Sequence, residues 1–242
     1  MQTHIGLERA LSFVNCHLGP AGKGLIRAAE SEQRRVVTIS RQKGSGAHAV
    51  AEKLAAYLQA RSPKDACPWT VFDRNLVEKM LQEHNLPQRI GQFIAEDRMS
   101  EITDTLDELL GLHPPSWTLV RQMTETILHL AEMGTVILVG RGASVVTSKL
   151  DYAFHVRVVS ALEKRIARVQ EMEKLGRKEA LAVIRREDRG RERYLRKYFE
   201  TDPDDPQLYH LMINTDLVSY EEAARIIGEA VMSGIVRPHR TT

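Results

Sequence analysis

The chain has 242 residues, enough for one domain or one domain with a small appendage, and its 43% hydrophobic content can supply a core. With 34 Lys and Arg against 32 Asp and Glu, the formal net charge is +2, which argues against a general nucleic-acid binder, whose surface is usually clearly basic. No run approaches the ~18 apolar residues of a membrane span, and the N-terminus lacks the continuous apolar block of a signal peptide, so the expectation is a cytoplasmic protein with no membrane and no nucleic-acid partner.

Leu7, Leu11, Val14 and Leu18 recur at helical spacing and predict an amphipathic helix over 7–18, stopped by Gly19-Pro20. Polar residues follow, so 1–35 reads as a helical extension before the main domain and as a candidate homodimer contact. Cys16 and Cys67 are the only cysteines; they make neither a disulfide framework nor a metal site and read as two free thiols of a reducing compartment. Val36-Val37-Thr38-Ile39-Ser40 has the β-branched, mainly apolar character of a strand buried on both faces. Gly44-Ser45-Gly46 and the helical pattern of Val50, Leu54, Ala55 and Leu58 come next, which opens a βαβ unit.

Further strands are expected at 70–72, 136–140, 153–158 and 211–214. Helices are expected over the acidic 75–112, broken at Pro87 and Pro114-Pro115, and over 117–132, the basic 161–199 and 220–232. Strands alternating with helices predict a parallel sheet with right-handed crossovers, and ligands of such sheets sit at the carboxyl ends of the strands. Three polar clusters fall there: 40–46, Asp73-Arg74, and Gly140-Arg141-Gly142.

A phosphate-binding turn needs glycines, so that backbone N–H groups can face phosphate oxygens, and a helix N-terminus behind it. Ser40, Arg41, Lys43, Gly44, Ser45, Gly46, Ala47 and His48 offer both, with two cations. The full Walker pattern is absent: Ala47 stands in the lysine's place and His48 in that of the Ser or Thr. An ordinary strand-to-helix turn is the plainer reading of these residues. A second glycine run, at 19–24, looks more like a Walker loop but follows no buried strand, and reads as a linker.

Taken together and in this order, five runs resemble the cytidylate kinase-like family over about 36–230: 37–46, 72–74, 139–143, 185–193 and 209–215. Two departures stand out, since Ala47 replaces a glycine usual in the family and the lysine that cytidylate kinases proper carry at this position is missing. The resemblance implies a P-loop kinase-like parallel sheet of about five strands, with helices on both faces. The domain would span 36–232, with a helical acceptor-binding insertion at 75–115, a helical lid at 185–200, and a tail at 233–242.

By the same resemblance the nucleotide substrates would be ATP with Mg²⁺ and a nucleoside monophosphate of the CMP or dCMP kind. Arg141, Asp73 and Arg74 would contact the acceptor, while Arg186, Asp188, Arg189 and Arg193 would belong to the lid. Arg41, Arg189 and Arg193 are expected to carry the charge of phosphoryl transfer, because that reaction asks mainly for positioning and cations. Arg165 and Arg168 read as a surface face rather than as braces of the phosphate site. No zinc-ligand spacing occurs, and Mg²⁺ would arrive with the nucleotide. A nucleotide-binding regulator with little catalysis, and a kinase of another small metabolite, are the alternative readings.

Overall fold

The computed structural model describes residues 2–18, 35–73, 106, 118–140 and 142–234. Five strands form one fully parallel sheet: β1 (Val36–Arg41), β2 (Thr70–Asp73), β3 (Val136–Val139), β4 (Ala153–Val159) and β5 (Leu211–Asn214). Their order is β2-β3-β1-β4-β5, so β1 is central and the chain reverses direction of winding around it. Val37 pairs with Ile137 on one side and with Phe154 on the other.

The helices are α1 (Gln2–Leu18), α2 (Ala47–Gln59), α3 (Thr118–Met133), α4 (Ala143–Val146), α5 (Leu162–Glu173), α6 (Arg177–Phe199) and α7 (Tyr220–Met232). They cover both faces, as a sheet buried on both sides requires. On one face Val37, Ile39, Ile137, Val139, Phe154 and Val156 pack against Val50, Leu54 and Leu58 of α2 and Ala223 and Ile227 of α7. On the other, Val36, Phe72 and Leu138 meet Phe13 and Val14 of α1 and Ile127 and Leu130 of α3.

Strand alternation sorts these two sets, because successive side chains point to opposite faces. It also creates a column that is not apolar. Thr38 and Ser40 of β1 stand in register with His155 and Arg157 of β4, and these are hydrogen-bonded as pairs, Thr38 Oγ1 to His155 Nδ1 at 2.8 Å and Arg157 Nη1 to Ser40 Oγ at 2.9 Å. The strand is buried on both faces over Val36–Ile39, as expected; one face is apolar, and the other carries Thr38 and Ser40.

The N-terminal helix is part of the fold. Ala10, Phe13 and Val14 lie in the core, and Phe13 meets Phe72 edge to face at 5.3 Å. The expectation of two free thiols is overturned: Cys16 and Cys67 form a disulfide, with Cα atoms 5.8 Å apart across 51 residues of chain. Packing of α1 against the sheet beside β2 brings together cysteines whose spacing in sequence carries no sign of it. No helix among the described residues is long and apolar enough to cross a membrane. The expectations for the glycine run at 19–24 and for the acidic helical segment lie outside the described residues, apart from buried Leu106.

Candidate functional site

At the carboxyl end of β1 the chain makes a glycine turn into α2. Gly44 and Gly46 both take φ 80°, a left-handed conformation that favours glycine. Space enforces the same choice. A Cβ on Gly44 would lie 2.8 Å from the Arg165 carbonyl oxygen, and one on Gly46 would lie 2.4 Å from the Tyr220 ring.

The turn is braced from α5. Arg165 Nη1 donates to the Lys43 carbonyl at 3.3 Å. Arg168 donates to the Gly44 carbonyl, to Ser160 Oγ and to the Thr215 carbonyl, while Thr215 Oγ1 donates to the Ser45 carbonyl at 2.8 Å. The reading of Arg165 and Arg168 as a surface face is thus corrected: Arg165 is buried and bonds the Lys43 carbonyl, and Arg168 ties the residues that follow β4 and β5 to the turn. Asp216 completes this brace. Burial would raise its pKa, but hydrogen bonds from Ser160 Oγ and the Ala161 N–H, with the Arg168 charge, bring the net shift below the ordinary carboxylate value.

An anion already sits at the turn. The Asp188 carboxylate of α6 accepts from the Lys43 backbone N–H at 2.8 Å, from Arg165 Nη1 at 2.5 Å and from Arg191 Nη2 at 2.5 Å. One backbone amide and two guanidinium groups around a carboxylate make a strong anion cradle. Ser45 Oγ and Arg165 Nε are buried without a hydrogen-bond partner.

Beside the turn lies a cavity of about 500 Å³, walled by Ser40, Arg41, Gly140, Gly142, Arg157 and the 184–192 stretch of α6. Arg41 crosses this wall. Its Nη1 lies so near Gly140 that a Cβ there would be 1.6 Å away. Gly142 is also crowded, with Leu195 and Phe199 of α6 within 3.1 and 3.2 Å of where a Cβ would stand.

The expected site residues therefore part company. Ser40, Arg41, Arg186, Asp188 and Arg189 face the cavity. Arg193 does not line it; its Nε donates to the Arg189 carbonyl at 3.4 Å on the exposed side of α6. The Lys43 amine pairs with Glu173 at 2.7 Å. Ala47, at the position of the Walker lysine, is 4% exposed and packs into the core against α7. His48 is 62% exposed and lies 3.9 Å from Glu52. Asp73 ends β2 without lining the cavity, and Arg74 and Arg141 lie outside the described residues.

Arg157 is a site residue that sequence reasoning misses. A His-Val-Arg alternation inside an apolar strand was the available signal, because a period of two places His155 and Arg157 together on one face. Among the described residues, no group of three or more His, Cys, Asp and Glu side chains could hold a metal ion.

A central strand leading into this glycine turn, with an arginine-bearing helix across the sheet's carboxyl edge, is the kinase-like form of the parallel α/β fold. Residues 36–217 match the cytidylate kinase-like family, and the chain belongs to that family. It is similar in fold to an uncharacterized protein from Eubacterium ventriosum, with a TM-score of 0.60 at 20% identity, covering 83% of this chain and 99% of that one. TT1252 from Thermus thermophilus aligns over 84% of this chain and 98% of its own at 17% identity, with a TM-score of 0.39. Among curated proteins, a uronate isomerase from Corynebacterium glutamicum is 33% identical over 113 residues, which is 46% of this chain and 21% of that protein. The chain thus spans about a fifth of that relative's length.

Proposed function

We propose that the protein transfers a phosphoryl group from ATP, carried with Mg²⁺, to a nucleoside monophosphate of the CMP or dCMP kind. The observation that carries this reading is the cradle of the Lys43 N–H, Arg165 and Arg191. It holds a carboxylate at the glycine turn, beside a cavity that Arg41 lines from β1. Phosphoryl transfer needs such preorganised donors around spread negative charge, and little covalent chemistry from the protein. The donor set fits the phosphates of ATP: every ligand of the Asp188 carboxylate is an N–H donor, and the buried Ser45 hydroxyl has a donor to spare. With no carboxylate cluster among the described residues, Mg²⁺ would ride on the phosphates, as it commonly does.

One observation favours a second reading. Ala47 lies in the core, so the turn itself brings no side-chain cation where Walker loops place their lysine. A nucleotide-binding regulator with little turnover would tolerate this. The deciding experiment incubates CMP, dCMP, UMP, AMP and GMP in turn with ATP and Mg²⁺ and detects the diphosphate product directly. Product from CMP or dCMP supports the kinase. ATP binding without product from any of the five supports the regulator, and product from UMP, AMP or GMP alone moves the kinase reading to another acceptor.

A further inference from the structure

Arg157 is held on the cavity wall with far less freedom than its counter-ion. Its side chain is 5% exposed, and Nη1 reaches Ser40 Oγ at 2.9 Å and the Tyr209 hydroxyl at 3.4 Å. Nη2 pairs with the Asp204 carboxylate, and Nε is buried with no partner. Asp204, by contrast, is 73% exposed and sits on the strap between α6 and β5. The Tyr209 hydroxyl, bonded to the Pro203 carbonyl at 2.8 Å, shapes that strap.

A buried guanidinium requires an anion beside it at all times, because an unpaired buried charge is strongly unfavourable. A carboxylate that already faces water loses little when it returns there. The pair is therefore asymmetric, with a fixed cation and an exchangeable anion. Arg157 and Asp204 share no bonding partner with the Asp188 cradle. The one cavity thus presents two separate cationic centres, each holding an aspartate of the chain itself.

We propose that Arg157 is the anchor for the phosphate monoester of the acceptor, and that Asp204 is the internal counter-ion which that phosphate displaces. The inference rests on the two-substrate reading above, in which the Asp188 cradle takes the donor's phosphates. Arg157 presents a planar fork suited to two phosphate oxygens, and its unpartnered Nε leaves donor capacity unused. Displacement frees Asp204, so filling the acceptor site and loosening the strap are one event.

The test is direct binding of CMP, cytidine, inorganic phosphate and ATP by calorimetry on the full chain, for wild type, Asp204→Asn and Arg157→Lys. Removing the competing charge in Asp204→Asn is expected to raise CMP and phosphate affinity about three- to tenfold, since more of the protein is then binding-competent. Arg157→Lys keeps the charge but loses the fork, and should lower both about tenfold or more. Cytidine, which has no phosphate, and ATP should bind alike to all three proteins.

Unchanged or lowered CMP affinity in Asp204→Asn overturns the proposal. So does an equal loss for cytidine, or a wild type that binds neither CMP nor phosphate. Because Asp204 is on the surface, its variant stays informative if Arg157→Lys folds poorly. If wild type shows no phosphoryl transfer but these affinities move as stated, the kinase reading falls and this assignment stands. Intact turnover with unmoved affinities leaves the kinase reading in place and overturns the assignment of Arg157.

Discussion

At the scale of single residues, two cations of the glycine turn have different fates. Arg41 lines the cavity and lies across Gly140, whereas the Lys43 amine is bound to Glu173 on α5. With Ala47 in the core, Arg41 is the cation of this turn that reaches the cavity, and on the proposed kinase reading it would meet the transferring phosphoryl group. Arg41→Ala is expected to lower kcat on the order of 10²–10³, the scale of losing one preorganised donor. Lys43→Ala should cost less than about tenfold by the same measure. A larger loss for the lysine variant, with both proteins melting normally, would reverse this assignment.

His129 gives a prediction about stability. It is buried in α3 with neither ring nitrogen hydrogen-bonded, and burial lowers its pKa to about 4. The unfolded chain titrates near 6.5, so between these values the unfolded state binds more protons. Stability is then complete above about pH 6.5 and declines as pH falls toward 4. His155 behaves alike, lowered to about 4 by burial and by the charge of His210. His17 is lowered as well, by burial, and His129→Leu removes one of these contributions. Its melting temperature should exceed that of wild type most clearly near pH 5, and the slope between pH 6.5 and 4 should flatten. Parallel pH profiles would mean that the ring finds partners in solution.

At the scale of elements, most of the architecture was legible. Strand 211–214 and helix 220–232 coincide with β5 and α7, and 117–132 is within one residue of α3. Each is a periodic segment bounded by turn residues, where local pattern and tertiary need agree. The basic stretch 161–199 instead divides into α5 and α6, because Lys174 takes a left-handed φ of 57° and ends the first of them. What escaped otherwise depends on contacts between distant residues. Arg165 and Arg168 sit on a helix whose charges look solvated in sequence, and only the docking of α5 under the turn brings them inward. The Cys16–Cys67 bond needs α1 to lie beside the chain preceding β2.

That bond yields its own prediction. Closing 51 residues removes unfolded-state entropy worth up to about 4 kcal/mol. Reduction, or Cys16→Ser, should lower the urea midpoint accordingly, with α1 still helical because Phe13 and Val14 remain packed. Coincident denaturation curves for oxidised and reduced protein would show that packing alone holds α1.

At the scale of the whole molecule, the glycine turn is held by parts of the chain far from it. The Tyr220 ring opens α7 and lies against Gly46, with the Arg168 guanidinium 5.6 Å from its centre, and Arg168 in turn bonds the Gly44 carbonyl. Tyr220→Ala should leave the sheet intact and speed hydrogen exchange at residues 44–46. Unchanged exchange there would mean that α5 suffices.

The contact between Gly46 and Tyr220 also sets a schedule for making the protein. The turn is translated before the ring that backs it, which belongs to α7, and β1 finds both of its neighbours only after residue 153 has been made. Early in synthesis, the nascent chain carries the phosphate-turn sequence without the means to hold its shape. On the proposed function, nucleotide would be of no help to the growing polypeptide, since a ligand stabilises only the state that binds it. A chain that stops before Tyr220 lacks the ring that backs Gly46, however much of the sheet it has formed.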